Sequence, residues 1–135
     1  MLVGIPNAFG SNSNIQNVKR YGNLKYVILS DDNIIEAEHN ARKGKAKTYG
    51  VKRFDNREDL SLEKIKQSLE NLSYRTSNYH IFKIYEPKER NIFQLPYYPD
   101  RIVHHVLLNV LEPIFVKWFI HNTYSCIKGR GIHKM

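Results

Sequence analysis

The sequence predicts an α+β fold in which helices pack around a β-hairpin. Three observations carry that expectation. Residues 79–85 and 91–96 are two short extended runs on either side of a proline-containing turn. Asp100 to Phe119 is a long apolar-periodic run, the strongest helical signal in the chain. Upstream, two further segments repeat apolar residues at helical spacing.

Residues 1–20 are rich in Asn, Ser and Gly, as in Gly10-Ser11-Asn12-Ser13-Asn14. So little apolar surface does not offset the entropy of ordering, and the expectation is a flexible leader before one domain over 21–135. Asn23 to Leu29 holds Leu24, Tyr26, Val27, Ile28 and Leu29. So short an apolar run fits a strand or a helix equally. Ser30-Asp31-Asp32-Asn33 supplies several possible caps for the next helix, and Asn33 with Glu36 matches a capping box. Its apolar stripe would be Ile34, Ile35, Ala37 and Ala41, and Arg42, Lys43 and Gly44 would end it. Asp31-Asp32 after an apolar run resembles a polymerase metal site, but a helix start explains the pair more simply.

Lys43, Lys45, Lys47, Lys52 and Arg53 form a basic connector, either a solvated loop or a phosphate contact. A second helix is expected from Asp55 to about Leu72, started by Asp55 and Glu58, with Leu62, Ile65, Leu69 and Leu72 on one face. Ser73 to Asn78 is a polar break. In the hairpin, Pro87 marks the turn and the tip carries Lys88 and Arg90. Two cations there are suited to a triphosphate, although an ordinary charged turn has the same composition.

Pro96-Tyr97-Tyr98-Pro99 is a stiff connector, and Asp100 is placed to cap the helix that follows. Ile102, Val103, Val106, Leu107, Val110 and Leu111 form its expected core side, with a stop or kink near Glu112 before Pro113. Ile114, Phe115, Trp118 and Phe119 add bulk beyond it. His104 and His105 point about 100° apart on a helix and cannot share a metal. Lys128-Gly129-Arg130-Gly131 is a glycine-flanked basic loop suited to close approach by an anion, without the spacing of a Walker motif.

Charge points the same way. Lys and Arg number 21 against 13 Asp and Glu, a net charge of +8. That balance favours a polyanion, nucleic acid or an anionic surface, though a basic globular protein needs no such partner. A single cysteine excludes an internal disulfide and fits a reducing compartment. No apolar run approaches the roughly 20 residues of a membrane span, so the expectation is a cytoplasmic protein with no membrane partner.

Four ordered blocks carry a resemblance. They are Ile84-Tyr85-Glu86-Pro87-Lys88-Glu89-Arg90, Leu95-Pro96-Tyr97-Tyr98-Pro99-Asp100-Arg101-Ile102-Val103, Leu111-Glu112-Pro113-Ile114-Phe115, and Tyr124 to His133. In these words Phe82 to Met135 resembles the amino-terminal fingers region of bacterial reverse transcriptases of the group II intron, retron and diversity-generating retroelement type. Asn33 to Lys45 also looks like the helix that leads into those fingers.

The resemblance implies an RNA-directed DNA polymerase working on an RNA template, a DNA primer and dNTP. Lys88 and Arg90 would contact the triphosphate, and Arg101 matches the residue after the Asp of its block. Arg130 would lie near template and nucleotide. Ile127 and Lys128 depart from the family's Arg and Pro at those places, so Lys128 is the candidate replacement contact. The family's Mg²⁺ ions are held by palm aspartates, including a Tyr-x-Asp-Asp hairpin that this sequence does not contain. The expectation is therefore a fragment truncated before the palm and thumb, binding no metal and inactive alone. The alternatives are a non-catalytic RNA-binding module and a decayed remnant.

Overall fold

A computed structural model describes residues 20–120 together with Thr123, Ile127 and Gly129. Among the described residues, five α-helices and one two-stranded antiparallel sheet make an α+β fold. The order is α1 (Leu24–Ile28), α2 (Asp31–Arg42), α3 (Tyr49–Asp55), α4 (Leu62–Glu70), β1 (His80–Tyr85), β2 (Glu89–Gln94) and α5 (Ile102–Trp118). A wide π-type turn, Tyr97–Arg101, joins β2 to α5 and contains a cis Tyr98–Pro99 peptide. The leader expected over residues 1–20 lies outside the described residues except for Arg20.

The core is built where α2 crosses α5. Ile34, Ala37 and Ala41 meet Ile102, Val103 and Val106, and Val51, Ile65 and Tyr97 close the cluster from α3, α4 and the turn. The two alanines let the helix backbones approach, and the β-branched side chains of α5 fill the space between them. Asn33 is buried in this interface. Its amide donates to the carbonyls of Ile28 at 2.8 Å and Val106 at 3.0 Å, and its Oδ1 accepts from Asn109 at 3.1 Å. One side chain thus ties α1, α2 and α5 together with every bond satisfied inside the protein.

Several local expectations are corrected. Of the two readings open for 23–29, the structure takes the helix, α1 (Leu24–Ile28). The cap of α2 is Ser30, whose hydroxyl accepts from the Asn33 N–H at 3.4 Å, so Asn33 is inside the helix and not its cap. Asp31 and Asp32 occupy the first turn of α2, where the helix dipole favours acid. Ile35 is exposed because it follows Ile34 by 100° and leaves the stripe of Ile34, Ala37 and Ala41. The basic connector contains a helix, α3, that takes up Lys52 and Arg53.

The next helix is shorter than the sequence suggests. Asp55 ends α3 instead of opening α4, and Ser61 caps α4 by accepting from the Lys64 N–H. Leu72 is exposed with φ 54°, beyond the helix end. Ser73 N–H bonds to the Ser68 carbonyl and Leu72 N–H to the Leu69 carbonyl, the paired bonds of a Schellman ending.

α5 also departs from expectation. It runs through Pro113 to Trp118. Val110 and Ile114 remain buried on either side of the proline, and that packing outweighs a cost of about 3 kcal/mol. Leu107 is partly exposed and Leu111 half-buried, so the core stripe is narrower than the apolar run. Phe115, Trp118, Phe119 and Ile120 are exposed, and the end of α5 adds no bulk to the core. No described helix is long and apolar enough to cross a membrane.

Candidate nucleic-acid interface

The hairpin register decides where its charged side chains point. Phe82 pairs with Ile92, His80 with Gln94 and Ile84 with Arg90. Cross-strand partners share a face and the faces alternate. Arg90 therefore lies on the same face as Phe82, Ile92, His80 and Gln94. Lys83 and Glu89 lie on the opposite face and form an ion pair. Glu86 lies in the turn itself and has no ion pair among the described residues. The side chains of Lys88 and Arg90 have no hydrogen bond or ion pair among the described residues.

A groove opens at the hairpin base. Its walls are the His80–Phe82 and Ile92–Gln94 segments on one side and Lys45, Tyr49, Arg53 and Arg101 on the other. Tyr49 and Arg53 are four residues apart and so share one face of α3, while Val51 turns into the core. None of the lining residues is acidic. The lining aromatic side chains Tyr49, Tyr79, Phe82 and Phe93 are all exposed. Tyr79 and Phe93 meet edge to face at 6.0 Å.

The floor of the groove is the π-type turn, and α3 is clamped onto it. Phe54 packs on Tyr97 at 5.9 Å and stacks on Tyr98 at 5.4 Å. Tyr97 donates to Glu38 at 2.8 Å and Tyr98 to the Ser61 carbonyl at 3.2 Å. Burial, helped by the Glu38 carboxylate, pushes the Tyr97 hydroxyl well above its ordinary range. Gly50 makes the close approach possible, since a Cβ there would sit 2.8 Å from the Tyr97 Cβ. Arg101 leaves the turn to donate from Nε to the Ala41 carbonyl at 3.1 Å. This bond satisfies a carbonyl at the end of α2 and fixes the guanidinium at the groove.

Asp100 is not the cap of α5. It is fully buried and accepts at Oδ1 from the Tyr74 hydroxyl at 2.6 Å and the Ser77 N–H at 3.0 Å. It thereby straps the segment before β1 onto the base of α5. Burial works to raise its pKa, but the Ser77 and Tyr74 hydrogen bonds outweigh that and hold the carboxyl below its ordinary value. Burial and the Asp100 bond push the Tyr74 hydroxyl up to about 12.

The structure thus treats the sequence-predicted site residues differently. Arg101 lines the groove, and Arg90 lies beyond the lining toward the tip, on the hairpin face of Phe82 and Ile92. Lys88 lies in the turn, about 17 Å along the strands from the hairpin base where Arg101 sits. Lys128 and Arg130 lie outside the described residues. Lys45 and Arg53 stood in the sequence as part of a connector read as either a solvated loop or a phosphate contact, and Tyr49 was not singled out. Only the helical turn of α3 brings Tyr49 and Arg53 to one surface. Asp31 is engaged by Lys66 at 2.6 Å, and no group of three or more described His, Cys, Asp or Glu residues is placed to hold a metal. Neither a family model nor a curated protein matches the sequence.

Proposed function

We propose that this chain is the nucleotide- and template-contacting fingers portion of an RNA-directed DNA polymerase. The observation that carries the reading is the hairpin itself. Among the described residues it stands as a two-stranded sheet, and the two cations at its tip have side chains with no partner among those residues. Unpaired Lys and Arg on a narrow projection are suited to phosphate, Arg bidentately and Lys as a point charge. The resemblance in sequence over the hairpin, the Pro-Asp-Arg turn and the core helix adds the identity of the polymerase. The exposed apolar end of α5 supports it too, because a following domain would have a surface to pack on.

In this role the fingers supply electrostatic clamping of phosphates, and metal chemistry belongs to a palm. The second reading, an RNA-binding module without catalysis, is favoured by the acid-free groove, which needs no palm to attract a polyanion. A titration of the labelled chain with a deoxynucleoside triphosphate, followed by amide chemical shifts, tests the first reading. Shifts should concentrate at Lys88 and Arg90 and vanish in a Lys88→Ala/Arg90→Ala variant. Shifts scattered over the surface, or unchanged in the variant, would contradict it.

A further inference from the structure

We infer that the groove at the hairpin base is a binding track for a single-stranded nucleic acid, separate from the triphosphate contacts at the tip. Lys45, Arg53 and Arg101 supply the phosphate contacts, and Tyr49 and Phe82 supply stacking faces. The inference deepens the polymerase reading, and rests on it only for the strand's identity as template.

The argument is one of charge accounting. α3 carries one acid, Asp55, and Arg42 holds both of its oxygens at 2.9 and 2.7 Å. Asp59 is likewise held by Arg57, and Glu38 by Arg42 and Tyr97. Asp55, Asp59 and Glu38 are therefore held by Arg42 and Arg57, which do not line the groove. Lys45 and Arg53, which do line it, keep side chains without an ion pair or hydrogen bond among the described residues. Arg101 spends its Nε on the Ala41 carbonyl, which orients the guanidinium without neutralising it.

The aromatic groups decide the kind of polyanion. Tyr49 is 78% exposed and Phe82 39% exposed, beside the cations. Exposed rings interleaved with cations give bases a stacking face, worth about 1–3 kcal/mol per base in single-strand binders. A duplex keeps its bases stacked on one another and gains nothing from such rings. An acidic peptide would use the cations and leave Tyr49 and Phe82 idle.

The test is fluorescence anisotropy with labelled single-stranded RNA, single-stranded DNA and duplex of one sequence. Wild type should prefer both single strands to duplex. Lys45→Ala/Arg53→Ala should weaken single-strand binding at least tenfold and make the log–log salt dependence shallower by about 1.4, two contacts at 0.7 each. Neither side chain has an internal bond among the described residues, so an unchanged thermal melt will accompany the loss. Tyr49→Ala should also lose affinity and Tyr49→Phe retain it. Tighter RNA than DNA binding assigns the strand to an RNA template, and equal binding assigns the track to either sugar. Duplex preference, or unaltered binding in the double variant, overturns the inference. Because Lys88 and Arg90 are left intact, their triphosphate response reports on the polymerase reading independently.

Discussion

Arg42 grips Asp55 through two parallel hydrogen bonds, and this pairing keeps the only acid of α3 from acting on Arg53 two residues away. The same guanidinium pairs with Glu38, and together the two carboxylates hold the Arg42 pKa above its already high ordinary value. The pair is exposed on the Asp55 side, so its worth to stability is small. Its worth to the groove is electrostatic.

Arg42→Gln should therefore affect binding more than folding. With Asp55 released, single-strand affinity should fall by about threefold, the size expected of one solvent-screened charge. Anisotropy titrations of the variant beside wild type measure this directly. Unchanged affinity at low salt would show that Asp55 has no influence on the groove.

Gly50→Ala should destabilise the protein although alanine is the better helix former. The added Cβ would meet the Tyr97 Cβ at 2.8 Å, and Tyr97 is itself held by Phe54 and Glu38. Overpacking of this kind costs about 1–3 kcal/mol, more than the 0.5–1 kcal/mol gained in helix propensity. Denaturant unfolding gives the difference. A stabilised variant would mean that α3 is not pinned to the turn.

Acid should loosen the fold in two stages. Burial lowers the His105 pKa, and Arg101, His104 and Lys43 add to that. A histidine depressed in the folded state favours folding above its ordinary value of 6.5 and loses that contribution as pH falls through the folded value. Asp100 is also depressed, so its contribution is present above its ordinary value of 3.8 and is lost as pH falls below it. Both slopes have the same sign. Melting temperature should decline below neutrality, and His105→Gln should flatten the upper stage while leaving the lower one. A melting temperature constant from pH 7 to pH 5 would contradict the His105 assignment.

The hairpin was legible in the sequence because its signal is local. β-branched and aromatic residues lie on both sides of a proline turn, and the pairing partners are a few positions apart. The core stripe of α5 was legible for the same reason, since Ile102, Val103, Val106 and Val110 repeat at helical spacing. What escaped was set by distant partners. Asp100 looks like a cap until Tyr74 and Ser77 are seen to fold back onto it. Asn33 looks like a cap until Val106 and Asn109 reach it across more than seventy residues of chain. Helix α3 is seven residues with a glycine inside and little apolar periodicity, so nothing local announces it. Its existence depends on Val51 in the core and Phe54 on the two tyrosines. That hidden helix is why Arg53 read as part of a solvated run.

The most direct measurement is the salt dependence of single-stranded RNA binding by the intact chain. If Lys45, Arg53 and Arg101 all meet phosphates, log affinity should fall against log salt with a slope of about −2.1. A slope near zero, or no binding at the lowest salt, would contradict the assignment of these cations to a nucleic-acid backbone.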